Sequence, residues 1–281
     1  MDTFVFIAVL LAAACHAGWN ALLKLDLEPM VAIVLVAAAS GIVVVPFALH
    51  AGPPNAPAWP YLIASVVIHI GYYAALAEAY RSGELGLVYP IARGSAPLLT
   101  AVLATMLIGE RLSSYGWIGV VMLAAGILLL AVRGGRQGRR FDARSVAFAL
   151  LTSLTITAYT LVDGIGARLA GSPAAYTAWL FLLSGAAMAG WGFARVGSRL
   201  ANDLKANWRI ALAGATLSTA AYAIAIWAMT VAPIALVAAL RETSVLFATL
   251  ISTFLLREPW LAARIVATLL VLAGALLLRA T

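Results

Sequence analysis

Ile91-Ala92-Arg93-Gly94-Ser95-Ala96-Pro97-Leu98-Leu99 and Ala239-Leu240-Arg241-Glu242-Thr243-Ser244-Val245-Leu246-Phe247 are the two stretches whose comparison decides the fold. In each, an arginine interrupts an apolar run. Setting Arg93 on Arg241 gives an offset of 148 residues. Without a gap, the same offset lays Gly109-Glu110 on Arg257-Glu258 and Leu123-Ala124-Ala125-Gly126 on Val271-Leu272-Ala273-Gly274. Common apolar residues match easily by chance; scarce charges at one register do not. The chain therefore reads as an internal duplication, with a first unit over 1–134, a basic linker over 135–142 and a second unit over 143–281.

Composition sets the solvent around these units. Of 281 residues, 64% are apolar and 10% charged, against roughly 45–50% and about 25% in soluble domains. A water-soluble fold has nowhere to hide so much apolar surface, so lipid is the solvent. A bilayer core needs about 20 apolar residues per helix. Ten segments reach that length, at 3–24, 29–50, 58–80, 84–108, 113–132, 145–168, 173–195, 208–231, 234–256 and 260–279. They lack strict alternation, which favours helices over a lipid-facing barrel. Asp2 gives the first segment an acidic start, and its apolar run continues past Trp19 and Asn20, so it reads as a retained span rather than a signal peptide. The expected fold is an all-α membrane protein of ten transmembrane helices. Five helices per unit make the repeat inverted, with a pseudo-two-fold axis in the membrane plane.

Lysines and arginines orient the chain. The loops after odd-numbered helices hold 13 of the 18 basic residues, concentrated in 133–144 and 195–209. The even-numbered loops and the termini hold Arg111, Arg168 and Arg279. The positive-inside rule then makes 133–144 and 195–209 cytoplasmic and puts both termini outside, in a bacterial-type inner membrane. The net charge of +7 is ordinary membrane topology, with no aromatic-laced basic face for nucleic acid. Expected partners are the bilayer and a small-molecule substrate, with the monomer as the working unit.

Ionisable residues inside spans are expensive and normally face a cavity or a partner. Arg93 reads as an anchor for a substrate carboxylate or as the structural partner of Glu78 or another acid. Arg241 and Glu242 are adjacent and so project in different directions from a helix. Glu78 and Asp163 are candidates for a substrate ammonium or a proton; Asp163 stands five residues before Arg168, too far for a good intrahelical pair. His16 and His69 lie midspan, as cavity lining or as packing residues. Aromatic side chains point to substrate class: Trp19, Tyr72, Tyr89, Tyr159, Tyr222 and Trp227 join the candidate binding residues as stacking faces and donors. The full candidate set is Trp19, His69, Tyr72, Glu78, Tyr89, Arg93, Tyr159, Asp163, Tyr222, Trp227, Arg241 and Glu242.

Gly119, Gly126, Gly185 and Gly190 are expected to admit close helix approach. Pro90 and Pro97 flank Arg93 and predict that 84–108 is more irregular than its counterpart, which has alanine and valine at the matching positions. No catalytic group, metal or cofactor is expected. His16, His50 and His69 sit on separate segments, Cys15 is the single cysteine, and no glycine-rich nucleotide loop occurs.

Trp19-Asn20, Gly109-Glu110-Arg111-Leu112-Ser113 and Leu256-Arg257-Glu258-Pro259, in register with ten apolar segments, resemble the drug/metabolite transporter superfamily and its EamA-type ten-helix exporters. Within it the chain resembles the aromatic amino-acid exporter group. The resemblance covers the whole chain. It implies a central cavity lined by both repeats and export of small metabolites, most of all amino acids including aromatic ones, by alternating access. Gly94 stands where the second half has Glu242, so the halves need not bind substrate equivalently. A multidrug or lipid flippase of the same fold is the alternative; a membrane-embedded enzyme lacks the clustered acid, base or metal site it needs.

Overall fold

Asp2 starts the first helix: its carboxylate accepts the Phe4 and Val5 N–H groups at 2.8 and 3.2 Å, an N-cap supplied by the sequence itself. The computed structural model describes residues 1–22, 29–82, 85–134, 143–197, 199–254 and 262–281. Among these residues all regular structure is helical: α1 (Thr3–Leu22), α2 (Pro29–Val43), α3 (Val45–Ala51), α4 (Trp59–Ser82), α5 (Leu85–Leu103), α6 (Ser114–Gly134), α7 (Ala143–Leu169), α8 (Pro173–Val196), α9 (Arg199–Ala206), α10 (Trp208–Val231), α11 (Ile234–Arg241), α12 (Ser244–Phe254) and α13 (Ala262–Arg279). Among the described residues, seven helical stretches are long and apolar enough to cross a membrane, and Ser114–Leu129 and Ile265–Arg279 are shorter apolar helices. The outer surface suits lipid: Phe4, Leu49, Met106 and Leu107 are all at least 70% exposed.

Sequence punctuation explains most boundaries. Ser172 caps α8 through the Ala175 N–H, with Pro173 as its first residue. The segment expected over 29–50 bends at Val44, one residue after α2 ends, with Pro46 at the start of α3. The joint expected over 195–209 contains the short polar helix α9.

Two expectations fail. The stretch 84–108 is not the more irregular one. α5 runs unbroken through Pro90 and Pro97 and finishes in a π-turn over Ala104–Ile108. Its counterpart breaks between α11 and α12, at Glu242-Thr243. There the N–H groups of Glu242, Thr243, Val245 and Leu246 each reach back three residues instead of four, to Ala239, Leu240, Glu242 and Thr243. This 3₁₀-type tightening needs no proline. The second failure is Gly190, beside which a Cβ would meet nothing within 4 Å.

The remaining glycine expectation holds where α6 crosses α13. A Cβ on Gly126 would sit 2.9 Å from the Ala267 carbonyl, and one on Gly119 2.9 Å from the Gly274 carbonyl. The largest packings join α6 with α13, α4 with α7, α1 with α10, α5 with α6 and α7, and α2 with α8, so first-half and second-half helices interleave. Overpacking a close crossing costs about 1–3 kcal/mol. Gly274→Val is therefore expected to lower the melting temperature in detergent, because its Cβ would lie 2.8 Å from the Gly119 carbonyl. Gly190→Ala is expected to leave it unchanged; equal effects of the two would refute the crossing.

Candidate functional site

The interleaving brings α5, α7, α10 and α11 together around one set of buried polar groups. Arg93 projects from the middle of α5. Pro97, four residues on, has no N–H to give the Arg93 carbonyl, so the helix is loosened at this level. Hydroxyls from α7 fasten it instead. Thr157 donates to the Ala96 carbonyl and Thr100 donates to Thr157, both at 3.3 Å.

Arg93 meets the residue at the α11–α12 break. Its Nε lies 3.0 Å from Glu242 Oε2, with both side chains under 10% exposed. The neighbouring Arg241 projects elsewhere, its guanidinium over the Tyr222 ring at 5.0 Å. His16 approaches from α1, its Nε2 3.3 Å from Arg93 Nη2 and its Nδ1 3.2 Å from the Trp19 indole nitrogen. Trp19 thus reaches the pair through His16.

A second buried carboxylate lies beyond Tyr222. Asp163, on α7, accepts the Tyr176 hydroxyl at 3.0 Å and the Tyr222 hydroxyl through its other oxygen. His69 stacks on Tyr159 with ring centres 4.3 Å apart and directs Nδ1 to the Ser65 carbonyl at 2.8 Å. Tyr72 meets Tyr159 edge-on at 5.8 Å. Tyr222 accordingly touches both charge centres, with its hydroxyl on Asp163 and its face under Arg241.

Arg93, Tyr159, Thr160, Arg241 and Glu242 line a small cavity with Ala96, Pro97, Thr100, Ile156 and Ala238. Its volume, about 10 Å³ for the centre of a water molecule, holds one water and little more. Among the described residues no group of three or more His, Cys, Asp or Glu side chains has a metal-binding arrangement.

Eight of the twelve candidates, namely His69, Tyr72, Arg93, Tyr159, Asp163, Tyr222, Arg241 and Glu242, take part in these contacts, and Trp19 reaches Arg93 through His16. Trp227 packs edge-on against the exposed Phe4 at 5.7 Å. The side chains of Glu78 and Tyr89 lie outside the described residues. Three participants were absent from the candidate set: His16, Tyr176 and Glu110. The Glu110 carboxylate accepts the Ile234 and Ala235 N–H groups and pairs with Arg168 at 2.9 Å. Its signal in the sequence was the α11 start, where Pro233 offers no side-chain acceptor to the first N–H groups.

Comparison with known proteins agrees with a membrane transporter. The model of the EamA-like transporter family matches residues 3–132 and 143–280, and the chain belongs to this family. Membership of this family and the exporters that resemble part of the chain point to a multi-pass membrane transporter rather than an enzyme. A solved crystal structure superposes on 98% of this chain and 95% of its own with a TM-score of 0.73 at 20% identity, a likeness of fold alone. Spermidine export protein MdtI of Klebsiella pneumoniae subsp. pneumoniae is 33% identical over 70 residues, which are 25% of this chain and 64% of that protein. The protein of that name from Enterobacter sp. is 32% identical over 66 residues, 24% of this chain and 61% of that protein. The chain thus spans less than two thirds of the length of these curated relatives.

Removing one member of a buried ion pair leaves an uncompensated charge, worth about 3–5 kcal/mol. Arg93→Gln and Glu242→Gln are each expected to lower thermal stability in detergent, and the double variant to recover most of the loss. Additive losses would refute the pairing.

Proposed function

We propose that the protein exports small zwitterionic metabolites, amino acids including aromatic ones, across a bacterial-type inner membrane by alternating access. The observation that carries this reading is the Arg93–Glu242 pair on the wall of a cavity that also presents Tyr159. An anion that takes Arg93 deprives buried Glu242 of its guanidinium; a cation that takes Glu242 deprives buried Arg93 of its carboxylate. A ligand with one charge of each sign satisfies both, and the Tyr159 face suits an aromatic side chain.

The cavity in this structure is too small for an amino acid, so binding requires the walls to part, as rocking of two halves would do. The helix packings support a two-fold arrangement of two five-helix units in ten spans. Exchanging each first-half helix for its counterpart turns α1·α10 into α4·α7, and α5·α7 into α1·α12. It also maps α2·α8 and α6·α13 onto themselves. At residue level, the offset of 148 converts the Gly126·Ala267 approach into the Gly274·Gly119 approach. Two units over 1–134 and 143–281, both termini outside and a working monomer complete the proposal.

The spermidine exporters that resemble part of this chain favour a second reading, export of cationic amines, with Asp163 as the counter-charge. Arg93 and Arg241 on the cavity wall repel a polycation and weigh against it. Flux in proteoliposomes, with and without a pH gradient, separates the two. Expected is amino-acid flux that Arg93→Ala reduces at least tenfold, with a smaller effect on any cationic drug carried. Amine flux without amino-acid flux would overturn the first reading.

A further inference from the structure

We propose that Glu110 is a positioning residue that latches the half-helix α11, and that release of this latch opens the central cavity to the face on which it lies. The proposal rests on the transport reading above but not on the identity of the substrate.

Gly109 has φ +76°, a left-handed conformation that ends the π-turn after α5 and redirects the chain. Glu110 follows, its side chain 8% exposed. One oxygen accepts the Ile234 N–H at 2.8 Å and the other the Ala235 N–H at 3.2 Å. These are the first residues of α11, where helix N–H groups lack intrahelical partners and the helix dipole favours an anion. Arg168, at the end of α7, pairs with Glu110 Oε1 at 2.9 Å. It also donates from Nε to the Met229 carbonyl at 2.9 Å and from Nη2 to the Ala232 carbonyl at 3.1 Å. Among the described residues, Glu110 is the only first-half residue in this network; Arg168, Met229, Ala232, Ile234 and Ala235 belong to the second half.

That placement gives the network its consequence. The bonds of Glu110 fasten the start of α11 to the segment that follows α5, so they must break before the start of α11 moves away from that segment. They also act on the site. α11 is eight residues long, about 12 Å of helix, and six of those residues are buried. Glu110 holds its first turn. Arg241 closes it, and Glu242 follows at the tightened turn before α12. A body held at one end by Glu110, and hinged at the other beside the Arg93–Glu242 pair, transmits a change at either end. Releasing Glu110 frees α11 to tilt about Glu242-Thr243 and uncover the cavity wall at Ala238 and Arg241.

Sided labelling of a cavity cysteine, without substrate, tests this. Cys15→Ser removes the single native cysteine, and Thr160→Cys places a thiol on the cavity wall. A membrane-impermeant thiol reagent is applied to intact cells and to inverted vesicles. Glu110→Gln is expected to raise the labelling rate at least tenfold in one preparation and leave the other unchanged. Arg168→Met, which breaks the same network from its other side, is expected to do likewise in the same preparation, and Glu110→Asp to fall nearer the unmodified rate. Variants are compared after confirming elution and melting near those of the parent. Unchanged labelling in whichever of Glu110→Gln and Arg168→Met folds would overturn the proposal, as would a rise in both preparations, the mark of general loosening. Absence of amino-acid flux bears on the substrate reading alone, because the labelling needs no substrate.

Discussion

An arginine placed in the middle of an apolar helix must find a negative partner, and in this protein it finds one in the other half of the chain. Arg93 belongs to the first half and Glu242 to the second, and their 3.0 Å contact is buried. Neither charge is tolerable alone in that position. The pair therefore constrains how α5 and α11 approach, and it makes their separation depend on something replacing the lost partners. A ligand that carries both charges is one such replacement. The same requirement explains why so few charges enter the interior and why those that do gather near Tyr222 and Tyr159.

The backbone beside this pair departs from regular helical bonding in both halves. Pro97 removes the N–H that would serve the Arg93 carbonyl, and the Glu242-Thr243 turn interrupts the counterpart helix. Two different devices thus loosen equivalent stretches of the two halves. Elsewhere the packing is close, as where Gly119 and Gly126 bring α6 against α13. A close crossing thus stands beside a centre with weaker backbone bonding around a small cavity.

Much of this was legible in the sequence. Apolar runs, proline positions and capping residues located the helices to within a few residues. The 148-residue offset alone matches Arg93 with Arg241 and Gly126 with Gly274. What escaped depends on contacts between distant segments. Periodicity does not reveal that Arg93 meets Glu242, 149 residues away, nor that Asp163 is served by two tyrosines from α8 and α10. The break at Glu242-Thr243 escaped because it contains neither glycine nor proline; the pull of Arg93 on Glu242 and the Thr243 hydroxyl bond to the Leu240 carbonyl, at 2.7 Å, accompany it there. Gly190 misled for the opposite reason, since a small residue permits close approach without requiring it.

The central claim is that the site accepts a ligand only when it brings one charge of each sign. Its most direct test is binding to the purified protein, measured by calorimetry, of an aromatic amino acid against two analogues with the same ring: the amine lacking the carboxylate and the acid lacking the ammonium. The account predicts that the amino acid binds and that each analogue binds at least tenfold more weakly. An amine that binds as tightly as the amino acid would contradict it, because Arg93 would then have lost the Glu242 carboxylate at no loss of affinity.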